Sequence, residues 1–143
     1  MSDQNKAIAR RALELFSGGD LDEMDELVSQ DAVDHDTQNP NREIHGPEGA
    51  KKTAAIYRAA FPDLRITVED QIAEGDKVVT RWTATGTQDG DLPGLPASGR
   101  SSTITGIGID RIDGGKIVET WGNWDTLGMM QQLGAVPAAA AAS

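Results

Sequence analysis

The sequence predicts an α+β fold, and two observations carry the prediction. Apolar residues recur at helical spacing over most of the chain up to about Ala60, and from Leu64 onward the period changes to two. Helices grouped ahead of long strands joined by tight turns indicate an antiparallel sheet covered on one side, not a doubly wound parallel sheet. The 143 residues suit one domain, spanning 1–136, followed by an alanine-rich flexible tail at 137–143. No internal repeat or second domain is visible.

Each element has its own signal. Ile8, Ala12, Leu15 and Phe16 share one face of a helix from about Gln4 to Phe16, and Gly18-Gly19 stops it. Asp20 then opens a second short helix, with Glu23 three residues on completing a capping box and Leu21, Met24, Leu27 and Val28 on its buried side. Asp31–Asp36 reads as a brief extended segment with Val33 and His35 on one face, followed by a polar loop from Thr37 to Glu43. Gly46-Pro47-Glu48 begins a third helix that Pro62 ends, because proline suits the first helical position and glutamate the positive end of the dipole.

Strands follow at Leu64 to about Ile72, Lys77–Thr87, Ser101–Ile112 and Lys116–Trp124. Glu74-Gly75-Asp76 and Asp113-Gly114-Gly115 turn the chain between them, the latter a tight hairpin signal. A short helix carrying Leu127, Met130 and Leu133 closes the domain.

Composition excludes several function classes. Thirteen basic and 23 acidic residues leave a net charge of -10, which repels phosphate backbones and anionic lipid headgroups. We therefore expect no nucleic-acid and no membrane partner. The absence of cysteine removes disulfides, thiolate catalysis and cysteine-based zinc sites, and fits a cytoplasmic protein. No apolar stretch approaches the roughly 20 residues that span a bilayer.

Several phrases, in order, resemble the SnoaL-like polyketide cyclases: DAVDHD at 31–36, FPDLRITVEDQIAEGDKVVTRWTATGT at 61–87, GLPASGR at 94–100 and GKIVETWGNWDTLGMMQQLG at 115–134. The resemblance implies the nuclear transport factor two-like cone fold, a curved antiparallel sheet wrapped around N-terminal helices and a tapering cavity. It also implies a homodimer or homotetramer formed through the sheet, and a hydrophobic, polycyclic ligand. The best-studied members close a ring by intramolecular aldol condensation with no metal and no organic cofactor. Others are hydroxylase components of such pathways, and the fold also hosts non-catalytic binding proteins.

The resemblance makes Asp125, which closes the GNWD phrase, the acid/base residue. A carboxyl in an apolar cavity suits that role because desolvation raises its pKa toward neutrality. Asp125 also sits where a helix begins, so capping is the competing reading. Candidate substrate-binding residues are His35, Tyr57, Trp82, Gln88, Trp121 and Asn123. Aromatic rings among them would stack on a flat ligand, although they also serve as core. His35 between Asp34 and Asp36 reads either as a pocket residue or as a locally bonded histidine. Alternate residues of a strand face opposite ways, so 34–36 is not expected to bind a metal. Two positions depart from the family pattern: Gln88 and Thr120 stand where relatives carry histidine. Glutamine binds a carbonyl but exchanges no proton near neutral pH. The apolar loop Leu92-Pro93-Gly94-Leu95-Pro96 reads as a lid or a subunit contact.

Overall fold

Helical propensity and apolar spacing place α1 at Ser2–Glu14, in a computed structural model that describes residues 2–39 and 45–137. The second half of the polar loop and the tail from 138 onward lie outside the described residues. Beyond α1, the chain turns at Gly19 with φ +97°, a left-handed conformation that glycine adopts without steric cost. Leu15 is fully buried at this corner, and the Arg58 guanidinium donates to its carbonyl oxygen.

The second helix is shorter than its pattern suggests: one 3-10 turn, Leu21–Glu23, then α2 at Met24–Leu27. Asp20 does cap it, but through the N–H of Asp22 at 2.9 Å. Glu23 does not complete the expected capping box. Its carboxylate is held instead by Arg11, with both contacts at 2.7 Å. A bidentate guanidinium partner outcompetes a bond back to the cap N–H.

β1 (Val28–Asp34) precedes α3 (Gly46–Ala60), whose Pro47 occupies the first turn as expected. Four strands follow: β2 (Arg65–Glu74), β3 (Lys77–Thr87), β4 (Ser101–Asp113) and β5 (Lys116–Trp124), then α4 (Thr126–Gln132). The sheet order is β1-β5-β4-β3-β2. β2 to β5 form the expected antiparallel meander, and β1 joins its far edge parallel to β5. Register shifts at Val68/Asp70, Arg111/Ile112 and Val28/Val33 interrupt the ladder. Such irregularities bend strands and increase twist, which curls a five-stranded sheet toward its helices.

Alternation sorts the strands into an inner and an outer face. Val78, Thr80 and Ala84 are buried on the inner side of β3, as are Ile104 and Ile112 on β4. The core is in two parts. Ala9, Leu15, Met24, Val28, Val78, Ile112 and Ile117 cluster at the α1 end. Ala60, Phe61, Ala84, Ile104, Met129 and Leu133 cluster at the α4 end. Burying a large apolar side chain of this kind contributes about 1.5–3 kcal/mol. No helix among the described residues is long and apolar enough to cross a membrane.

Candidate functional site

Between the two core clusters lies a cavity of about 250 Å³, lined by members of both. Its sheet wall includes Trp82, Gly108, Asp110, Thr120 and Gly122, and α3 contributes Thr53 and Tyr57. Most of the lining is apolar. Its charged members among the described residues are Asp34, Asp36 and Asp110, and none is Lys, Arg or His.

The sheet register brings these carboxylates to one wall. Asp110 on β4 pairs with Thr120 on β5, and Thr120 pairs with Asp34 on β1. The Thr120 hydroxyl donates to Asp110 Oδ1 at 2.8 Å. Asp110 is half-buried and lines the cavity. Burial is the main cause that pushes its pKa from 3.8 up to about 6; the Asp34 charge adds to the rise and the Thr120 bond opposes it.

The segment after β1 holds the other two acids by local turns. The Asp36 N–H donates to Asp34 Oδ1 at 2.8 Å, Asn39 Nδ2 to Asp34 Oδ2 at 3.0 Å, and the Gln38 N–H to Asp36 Oδ1 at 2.8 Å. The Gln38 side chain clasps Trp124 from both sides, accepting from its N–H at 3.1 Å and donating to its carbonyl at 2.8 Å. It also bonds the Thr126 hydroxyl. Burial raises the Asp36 pKa, with a smaller contribution from Asp34. The Tyr57 phenol is likewise raised, first by burial and then by Asp36 and Asp34, and so stays a hydrogen-bond donor. No group of three or more metal-ligating side chains converges among the described residues.

Of the residues singled out in the sequence, Trp82 and Tyr57 line the cavity from the inner side. Trp82 lies against Gly106, and Tyr57 meets Trp124 edge-on at 6.1 Å. Trp121 and Asn123 touch the cavity wall, but the pleat pairs them with Ile109 and Ile107 on the face opposite Asp110. There the Trp121 ring stacks on His35 at 5.3 Å, with Lys77 Nζ at 5.7 Å. His35 is therefore an outer-face residue: its Nε2 lies 2.9 Å from Glu119, which Arg111 also holds at 2.8 Å.

Gln88 is fully buried and its Nε2 donates to the Leu95 carbonyl, so it anchors the 92–95 turn instead of facing the cavity. That turn covers a second cleft, whose wall shares Tyr57, Trp124 and Met129 with the main cavity. Asp125 is exposed and is not among the cavity-lining residues. Its Oδ1 accepts from the Gly128 N–H at 2.8 Å, capping α4.

Asp34, Asp36 and Asp110 are the charged cavity-lining positions among the described residues that reasoning from the sequence did not assign to the site. Asp110 carried a signal: on a strand with Ile104 and Ile112 inward, period two turns residue 110 inward as well.

Comparison with known proteins agrees with this architecture. The profile of the SnoaL-like polyketide cyclases matches residues 6–133. The aklanonic acid methyl ester cyclase of Streptomyces peucetius is 29% identical over 128 residues, covering 89% of this chain and 88% of its own. The structure of IdmH, a candidate polyketide cyclase from Streptomyces antibioticus, superposes with a TM-score of 0.79 at 33% identity, over 92% of this chain and 99% of that one. AclR, a candidate hydroxylase from Streptomyces galilaeus, superposes with a TM-score of 0.82 at 25% identity, over 97% and 86%. The matched profile spans the helices, the sheet and the cavity wall alike, and the chain belongs to the SnoaL-like polyketide cyclase family.

Proposed function

We propose that the protein closes a ring in an aromatic polyketide ester by intramolecular aldol condensation, with Asp110 as the acid/base and no step that needs a metal or organic cofactor. The supporting observation is a desolvated carboxyl with a pKa of about 6, one oxygen held by Thr120, on the wall of an apolar cavity. As carboxylate, Asp110 removes a proton from a carbon flanked by two carbonyl groups. The resulting enolate carbon attacks a second carbonyl carbon of the same molecule, forming the new C–C bond. The oxygen of that carbonyl takes the proton back from Asp110, and the carboxylate is restored. A group titrating near the working pH serves both transfers. Asp125, the residue expected from the sequence, is engaged as a helix cap, and we move the role to Asp110 for that reason. Tyr57, Trp82 and the acids at 34 and 36 are our candidates for binding the ligand.

The test is a chromatographic cyclisation assay on anthraquinone-type polyketide methyl esters without added cofactor. Asp110→Asn should fold and lose about 10²–10⁴-fold in turnover, the range of general acid–base catalysis. Asp125→Asn should retain turnover. No closure by the wild type above the spontaneous rate would sink the reading for these esters. The likeness to the hydroxylase candidate favours a second reading, a hydroxylase component, which would show product only with a reductase and a reduced cofactor.

A further inference from the structure

Two glycines face each other across the inner sheet wall: Gly108 on β4 pairs with Gly122 on β5. Neither has a positive φ, so backbone conformation does not require glycine at either place. Packing does not require it either. A Cβ built on Gly108 would meet nothing nearer than the Trp121 carbonyl oxygen at 3.5 Å, and one on Gly122 nothing nearer than Asp36 Oδ2 at 3.5 Å. Gly106, two residues earlier, is the contrast: its Cβ would fall 2.3 Å from the Trp82 ring. Glycine inside a strand weakens it, so a residue there that neither turns nor packs preserves something else. What Gly108 and Gly122 preserve is open space on the cavity wall.

That space is bounded by chemistry. Asp110 follows Gly108 on the same face of β4, and Asp36 lies over Gly122. Tyr57 and Thr53 line the cavity from α3. Bare peptide planes in the middle of the wall let a flat ring lie directly against the backbone, with its edge substituents reaching toward the carboxyls.

We infer that the Gly108–Gly122 pair is the specificity determinant that admits a planar fused-ring ligand beside Asp110. The inference deepens the cyclase reading by naming the shape of substrate that its site selects. It concerns binding, so it can fail or hold separately from turnover.

The experiment measures binding of a tricyclic anthraquinone methyl ester and of methyl benzoate by titration calorimetry. The proteins are the wild type, Gly108→Ala and Gly122→Ala, each with its thermal melt. Both alanine variants should melt no lower than the wild type and bind the tricycle about tenfold more weakly or worse. That is the size expected when a methyl group intrudes on a filled site. Their binding of the single-ring ester should be unchanged. Wild-type affinity for the tricycle in both alanine variants overturns the inference and leaves the cyclase reading standing. A drop in melting temperature at both positions also overturns it, because the space would not be open. Glycine-dependent binding without any ring closure supports the inference and removes only the cyclase chemistry.

Discussion

A carboxyl group in apolar surroundings, with other acids nearby and no cation facing it, holds its proton more tightly than in water. Asp110 meets that description: Asp34, Asp36 and the un-ionised Tyr57 line the same cavity, and burial is the main cause of its rise to about 6. Its folded pKa lies above the unfolded value of 3.8, so between these values the folded state binds more protons. Stability due to this group is therefore fully present below about pH 4, falls as pH rises to about 6, and is level beyond it. Asp110→Asn removes the cost of the buried charge. It should be more stable than the wild type at pH 7 by about 1–3 kcal/mol, with the difference vanishing near pH 4. Chemical denaturation at the two pH values reads this directly. In the wild type, kcat/KM for ring closure should rise through about pH 6 as the carboxylate forms, and that limb should be absent from the residual activity of Asp110→Asn. The position was legible as an inward residue on an apolar strand. Its role was not, because desolvation depends on β1, α3 and the 35–39 segment meeting around it, and strand periodicity does not encode that meeting.

At the scale of single elements, local chemistry was readable wherever the signal and its partner are neighbours in sequence. Pro47 opens α3, the turn at 113–115 closes the last hairpin, and β5 begins and ends where its alternation does. Signals with distant competitors were misread. Glu23 had a capping role within three residues but an arginine from α1 took it, and Gln88 looked like a pocket residue but holds the Leu95 carbonyl. Asp125 carried a catalytic reading from the resemblance and a capping reading from its place before a helix, and its carboxylate makes the capping bond. It satisfies the N–H of Gly128 at the start of the seven-residue α4, whose Met129 is buried in the second core cluster. A helix so short depends on its cap and its packing more than on propensity. Asp125→Ala should thus cost about 1 kcal/mol in a denaturant melt. The expected kinetic outcome is an unchanged pH profile, because the Asp125 carboxylate bonds the Gly128 N–H and does not line the cavity.

Over the whole molecule, the helices and cavity occupy the inner face of the sheet and leave its outer face uncovered by any described element. Register aligns the residues of that face in rows. Ile72, Val79, Ile109 and Trp121 form one apolar row across β2 to β5, beside a charged row of Glu74, Lys77, Arg111 and Glu119. A third row sets Ile107 between Arg81 and Asn123. Ile72 is 61% exposed and Ile107 50%, unusual for isoleucine on a broad sheet face. The charged row contains both signs, so a second copy turned about a two-fold axis presents acids to bases while the apolar rows meet. An isologous interface of this kind must bury on the order of 800 Å² per partner to be stable, which a face four strands wide can supply. We therefore expect a homodimer through the sheet in sedimentation velocity at micromolar concentration. Ile72→Lys with Ile107→Lys should sediment as a folded monomer, because each lysine would be desolvated without a partner in the interface. Ile72 does not line the cavity, so Ile72→Lys alone should weaken the dimer and leave ligand binding as in the wild type. A wild type that sediments as a monomer at all concentrations would show that the apolar row serves the single chain alone.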